Sequence, residues 1–226
     1  MTEGRDVYIL AARRTPFGKF WGGLKDIPAP RFAAEVIRQI LSDAIKSSDA
    51  VDGVYMGEVL TAGVGQNPAR QAARYAGLPD SCPAETFNKV CASSLVAMRH
   101  AVHMIRLDEA HLMIAGGMES MSQAPYLFER WEKILGNFSL RVLFDEAMKL
   151  RVEIGQVNEL LGEYHNTRDI VERNIFIDSM IYDGLCDVYG INLPHMGELA
   201  DRCSRVQGVS REEQDAYAFA SHTRAL

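Results

Sequence analysis

The chain has 226 residues, 47% of them apolar and 24% charged, with a formal net charge of −6. That balance describes an ordinary globular protein, excludes a disordered or fibrous one, and argues against a nucleic-acid role, which needs a basic face. Four cysteines without a paired Cys-x-x-Cys spacing give neither a zinc site nor a disulfide framework.

No apolar run reaches the ~18 residues of a membrane span, and the N-terminus lacks a signal-like apolar core. A reduced, cytoplasmic setting without membrane contact is therefore expected. His100, His103 and His111 match no recognised ligand spacing, so no metal is expected either.

Asp6–Ala12 is a short apolar run suited to a buried strand, and an Arg14-Thr15-Pro16-Phe17-Gly18 turn follows it. Between Pro28 and Ile45, apolar residues recur at helical spacing (Phe32, Val36, Ile40, Ala44), with proline near the start, where it is tolerated. Val51–Leu60 reads as a second strand and Pro68–Ala76 as a short helix. Ala84–Val90 is a third strand, Ala92–Leu107 the helix after it, and His111–Ala115 a fourth strand ended by Gly116-Gly117. This alternation predicts an α/β domain with a mostly parallel sheet covered on both faces.

Beyond about residue 120 the pattern changes. Leu143, Ala147, Leu150, Ile154, Val157, Leu161 and Tyr164 alternate at spacings of four and three. Such a seam fits an amphipathic helix lying on its own domain or an interface with a partner. Met196–Val206 reads as a helix. Ser210-Arg211-Glu212-Glu213 reads as a capping box that opens another.

Cys91 stands where the third strand gives way to its helix. The unpaired N–H groups and positive dipole end of a helix start favour a thiolate, hence a nucleophile near neutral pH. Free cysteine is also a small hydrophobe, so placement alone leaves a structural thiol open. Cys82, Cys186 and Cys203 lack any electropositive niche and read as packing or neutral surface thiols.

The neighbours of Cys91 decide between these. Asn88-Lys89-Val90-Cys91-Ala92-Ser93-Ser94-Leu95 closely resembles the nucleophile segment of the thiolases. Arg14-Thr15-Pro16-Phe17-Gly18, Gly57-Glu58-Val59-Leu60, Gly63-Val64-Gly65-Gln66-Asn67-Pro68-Ala69-Arg70-Gln71-Ala72 and Ala115-Gly116-Gly117-Met118-Glu119-Ser120-Met121-Ser122 resemble further segments of that family. So do Asp183-Gly184-Leu185 and His195-Met196-Gly197, in the family's order. The likeness is strongest to acetyl-CoA acetyltransferases of the biosynthetic type. It lapses after Trp131 and resumes near Ile177.

The resemblance implies one half of a five-layered αβαβα sandwich. Residues 1–119 would form the N-terminal α/β domain without its last strand. Residues 120–226 would form a mainly helical loop domain, carrying a helical insertion at about 135–175 and incomplete at its C-terminus. Cys91 is implied as the nucleophile that carries the acyl group, with its own backbone N–H in an oxyanion hole. His195 and Met196 are implied to pack on coenzyme A, with Leu185 towards its adenine end. Gln66, Asn67 and Arg70 resemble a subunit-interface loop, although a solvated turn with an N-cap at Asn67 fits the same residues. The seam residues Leu143, Leu150, Ile154, Val157 and Leu161 are further interface candidates. Coenzyme A thioesters enter as substrates, and no cofactor is implied.

These 226 residues contain none of the family's Asn-Glu-Ala-Phe, Asn-His-Gly-Gly and Cys-x-Gly segments, the last two of which bring the catalytic histidine and the second cysteine. The expectation is the nucleophile-bearing subunit of a split thiolase. A C-terminal-half subunit would complete a hetero-oligomer, such as a dimer or tetramer of heterodimers, that interconverts acetyl-CoA and acetoacetyl-CoA. Alone, the chain is expected to be inactive. The alternatives are a non-catalytic scaffold that binds coenzyme A, a fragment of a longer chain and a ketoacyl synthase-like condensing enzyme. The Asn88–Cys91 and His195–Gly197 blocks speak against the last.

Overall fold

The structure, a computed structural model, describes residues 5–45, 47–127, 177–186 and 194–225. These fall into two compact units. The first comprises residues up to Tyr126 together with Asp178–Gly184; the second includes Leu185, Cys186 and residues 194–225.

The first unit is built on a three-stranded parallel sheet. Strands β1 (Gly53–Gly57), β2 (Ala84–Phe87) and β3 (Met113–Gly117) lie in the order β2-β1-β3. Val54 stands opposite Ala84 on one side and Ile114 on the other. Helices α1 (Ala29–Ala44), α2 (Pro68–Ala76) and α3 (Ser93–Arg106) complete the unit.

Strand periodicity sorts the core onto two faces. Val54, Met56 and Ile114 pack with Ala33, Ala34 and Ile37 of α1 and Ala69, Ala72 and Ala73 of α2. Tyr55, Met113 and Ala115 turn the other way, towards Ala97 and Ala101 of α3. Alanine recurs on all three helices because small side chains let a helix lie close to the sheet or to its neighbour. The fully buried β1 needs both layers, as parallel strands do.

Local chemistry accounts for the element ends. Asn67 caps α2, its Oδ1 accepting the Arg70 N–H, and Gly77, in the left-handed region, ends that helix. Asp52 clasps the starts of β1 and β3 by accepting the N–H groups of His111 and Leu112 at 2.6 and 2.9 Å. These bonds hold its carboxyl below the ordinary range.

The Asp6–Ala12 run requires a correction, because the structure shows extended chain with no ladder partner instead of a buried strand. Tyr8, Ile9 and Leu10 are 75%, 88% and 66% exposed. Ion pairs Arg5–Asp108 at 2.6 Å and Arg13–Asp43 at 2.7 Å hold the two ends of the run. The apolar pattern is present, but among the described residues no strand or second layer covers it. Burial depends on what packs against a segment as well as on its own composition.

In the second unit, α4 (Met196–Gln207) and α5 (Arg211–Ala225) are the two helices read from sequence. The capping box at α5 forms as expected: Ser210 N–H donates to Glu213 Oε2 at 2.8 Å, and Glu213 N–H to Ser210 Oγ at 3.2 Å. A π-type turn, Met180–Leu185, belongs to the first unit except for its last residue. The Leu143–Leu161 seam lies outside the described residues.

Gly57 sets how closely α3 meets the sheet. A Cβ there would stand 2.5 Å from the Ser93 carbonyl carbon and 2.7 Å from its Cβ, inside any real contact. Gly57→Ala is therefore expected to destabilise the fold by about 1–3 kcal/mol through overpacking, read as a lower urea midpoint with an unchanged m-value.

Candidate active site

The turn Asn88–Ala92 carries Cys91 from the end of β2 into α3. Its backbone is held by two side chains. Asn88 Oδ1 accepts the Val90 N–H at 3.0 Å, while Asn88 Nδ2 donates to the Val59 carbonyl at 3.3 Å. Buried Ser93 turns back, its Oγ accepting the Lys89 N–H at 2.9 Å and donating to the Val90 carbonyl at 2.5 Å.

This grip holds Val90 at φ 50°, a left-handed conformation that a β-branched residue adopts only under constraint. Strain of this kind costs on the order of 1–3 kcal/mol and persists where surrounding structure over-determines it. The outcome is that Cys91 is presented on the surface, exposed, one residue before the uncapped start of α3 at Ala92. Cys82 is buried and Cys186 half-buried, and burial pushes both thiols above their ordinary range. Cys203 is exposed on α4.

Behind the turn lie two carboxyls. Glu119, just past β3, accepts the N–H groups of Val59 and Leu60, each at 3.0 Å. Burial raises its pKa, and those two bonds oppose the rise. Glu58, just past β1, is 1% exposed, and neither carboxyl oxygen has a hydrogen-bond partner among the described residues. Burial, then the neighbouring Glu119 charge, pushes its pKa up to about 8. Glu58 also lines a groove of about 550 Å³ together with Thr61, Asn67, Glu85, Thr86 and Asn88.

The other residues singled out from sequence divide by unit. Asn67 and Arg70 lie in the first and are engaged within it. Asn67 Nδ2 donates to the Ala84 carbonyl at 2.8 Å, and Arg70 donates to the carbonyls of Cys82 and, at 2.8 Å, Asp80. Gln66 contributes its carbonyl to Gln71 Nε2 at 3.0 Å. Leu185, His195 and Met196 lie in the second unit, where an isolated antiparallel bridge pairs Cys186 with His195. His195 caps α4, its Nδ1 accepting the Gly197 N–H at 3.1 Å, and Met196 is exposed. Leu143, Leu150, Ile154, Val157 and Leu161 lie outside the described residues. Among the described residues no group of three or more His, Cys, Asp or Glu side chains is arranged to hold a metal.

Sequence reasoning quoted Asn88, Ser93 and Glu58 within motifs but gave none of them a role. Asn88 and Ser93 were legible in principle, since Asx and Ser/Thr residues flanking a strand-to-helix turn commonly bond nearby backbone. The isolation of the Glu58 carboxyl shows only in three dimensions.

The fold and site are those of a parallel α/β domain that offers an exposed thiol on a strained strand-to-helix turn. The chain belongs to the thiolase family: the model of the thiolase N-terminal domain matches residues 7–226. It is 40% identical over 222 residues to an acetyl-CoA acetyltransferase of Pseudomonas aeruginosa, covering 98% of this chain and 47% of that relative. It is 40% identical over 220 residues to an acetyl-CoA acetyltransferase of Cupriavidus necator, covering 97% and 47%. A protein of the same description from Chromobacterium violaceum is 39% identical over 222 residues, covering 97% and 47%. The chain thus spans about half the length of the curated relatives it matches.

The Glu58 carboxyl has a stability signature. Its folded pKa of about 8 lies above the ordinary 4.5, so between those values the folded state keeps a proton that the unfolded state has lost. Stability therefore falls as pH rises through that window, by at most about 1.4 kcal/mol per pH unit from this group. Glu58→Gln is expected to unfold like the wild type near pH 4.5 and to be the more stable of the two near pH 8, as read by urea denaturation at both values.

Proposed function

We propose that this chain is the nucleophile-bearing half of a split acetyl-CoA C-acetyltransferase, with Cys91 as the residue that becomes acylated. The presentation of Cys91 on a turn gripped by Asn88 and Ser93 carries this reading, because a structural thiol needs neither exposure nor a strained neighbour.

In the reaction, the Cys91 thiolate attacks the thioester carbonyl carbon of acetyl-CoA. The negative charge moves to the carbonyl oxygen, then returns as the bond to sulfur breaks and coenzyme A leaves as its thiolate. N–H groups at the start of α3, Cys91's own among them, supply donors for that oxyanion. A second acetyl-CoA then loses an α-proton to a base. Its carbanion attacks the acetyl carbonyl on Cys91, forms the new carbon–carbon bond, and releases acetoacetyl-CoA and the Cys91 thiolate. Thiolysis is the same path in reverse.

The base and the histidine that supports the nucleophile are absent from these 226 residues and come from a complementing polypeptide. Its sheet would cover the apolar surfaces left open here, namely Leu95 and Met98 on α3, 65% and 42% exposed, and the Tyr8–Leu10 run. Exposed faces of this extent on one domain mark an interaction surface. In this reading Leu185, His195 and Met196 contact coenzyme A, Gln66, Asn67 and Arg70 border the partner, and the assembly works in the cytoplasm.

Two measurements test the reading. Iodoacetamide at neutral pH should modify Cys91 well ahead of Cys203, the other exposed cysteine, and Cys91→Ser should lose all acetyl transfer onto the protein from acetyl-CoA. Equal labelling rates would leave a coenzyme A-binding scaffold instead. Purified from its own source, the chain should co-elute in fixed ratio with a polypeptide bearing Asn-His-Gly-Gly and Cys-x-Gly segments, and acetoacetyl-CoA thiolysis should follow that fraction. A chain that elutes alone, soluble and inactive, would end the split-enzyme reading.

A further inference from the structure

The groove beside the nucleophile turn is acidic and incomplete. Glu58 is one of its lining residues, Thr61 lies on the loop after β1, Asn67 at the start of α2, and Glu85, Thr86 and Asn88 along β2 and its continuation. Among the described residues no lysine or arginine lines it. Three of the polar wall residues direct their donors elsewhere. Thr86 Oγ1 donates to Asn67 Oδ1 at 2.9 Å, Asn67 Nδ2 to the Ala84 carbonyl, and Asn88 Nδ2 to the Val59 carbonyl.

Both Glu58 oxygens are without partners among the described residues, in a side chain that is 1% exposed. An unserved buried carboxyl carries the full cost of its lost hydration. The charged group that acts on it is also acidic: Glu119 past β3, already bonded to backbone. Once the carboxyl ionises, a neutral donor would leave its negative charge unbalanced. A guanidinium both balances it and matches two free carboxylate oxygens with its two parallel N–H bonds.

The geometry points to Glu58 as the receptor for an arginine side chain, presented in this groove by the polypeptide that completes the thiolase. The partner part of this inference rests on the split-enzyme reading; the arginine site itself does not. Because Glu58 N–H donates to the Phe87 carbonyl at 3.0 Å and Asn88 bonds Val59, an arginine seated here would abut the strand that leads to Cys91. Assembly and the setting of the nucleophile turn would then meet at one contact.

The test uses the full chain and a stand-in side chain, Nα-acetyl-arginine amide, with the isosteric but neutral Nα-acetyl-citrulline amide as control. The Glu58 carboxyl ¹³C resonance, assigned by its loss in Glu58→Gln, is followed on titration. The arginine probe should shift it saturably, bind more tightly as pH rises through about 8, where the free carboxyl ionises, and draw its titration to lower pH. The citrulline probe and Glu58→Gln should each bind at least about tenfold more weakly, the scale of one charge-assisted bond. Glu85→Gln should leave Glu58's response to the arginine probe in place.

A carboxyl served by water alone would show no saturable response. Equal binding of citrulline, or binding abolished by Glu85→Gln and retained in Glu58→Gln, would equally overturn the site. Should Glu58→Gln fail to fold, assignment through Glu119→Gln and Glu85→Gln and the comparison of the two probes on the unaltered chain decide the matter. Failure of the probe leaves the split-enzyme reading standing. A chain that purifies without a partner ends that reading, while the probe still decides the arginine site.

Discussion

The contact that organises this domain is the approach of α3 to the ends of β1 and β3. Gly57 and Gly117 close those strands, and neither has room for a side chain, since Ser93 lies against the first and Ser94 against the second. With the helix start drawn in this far, the connection from β2 has only Asn88 to Ala92 in which to turn. Val90 takes up the strain at a positive φ, and Cys91 is left on the outside. The exposure of Cys91 is thus a product of close packing beneath it.

The same approach explains the polar chemistry behind the turn. Strands that end together under a helix bring Glu58 and Glu119 into one poorly hydrated region. Glu119 is accommodated because the chain past β1 turns two N–H groups towards it. Glu58 has no such provision. A buried carboxyl without donors lowers stability wherever it is ionised, and domains keep such groups where something outside the fold uses them.

Two kinds of surface on this half-length chain point outward. One is apolar, along α3 and the N-terminal run; the other is the acidic groove lined by Glu58. Apolar area supplies the bulk of an association free energy, and a charge that must be met supplies register. In this arrangement the first would make a complementing chain bind and the second would decide how it sits.

Much of this was legible in the residues alone. Periodicity located α1, α2, α3 and the three strands to within a few residues, because a parallel α/β layer buries its strands completely and its helices on one face. The Ser210–Glu213 box was readable because it is closed within four residues. Cys91 stood out through its position and its neighbours. What needed the tertiary structure was whatever depends on contacts between distant segments. The Asp6–Ala12 run has the composition of a buried strand, yet it lies exposed because a strand needs an edge and a cover that its own sequence does not contain. Arg70 reads as part of an interface loop or a solvated turn, and only the tertiary structure shows its side chain bridging the carbonyls of Asp80 and Cys82. Glu58 reads as an ordinary acidic residue, and only the meeting of β1, β2 and the turn before α2 removes its water and leaves it without a partner. Sequence therefore determined the family and the elements and singled out Cys91 as the candidate nucleophile, all of which rest on local pattern. The tertiary structure decided which groups are strained, exposed or unserved, because those are properties of packing between segments far apart in the chain.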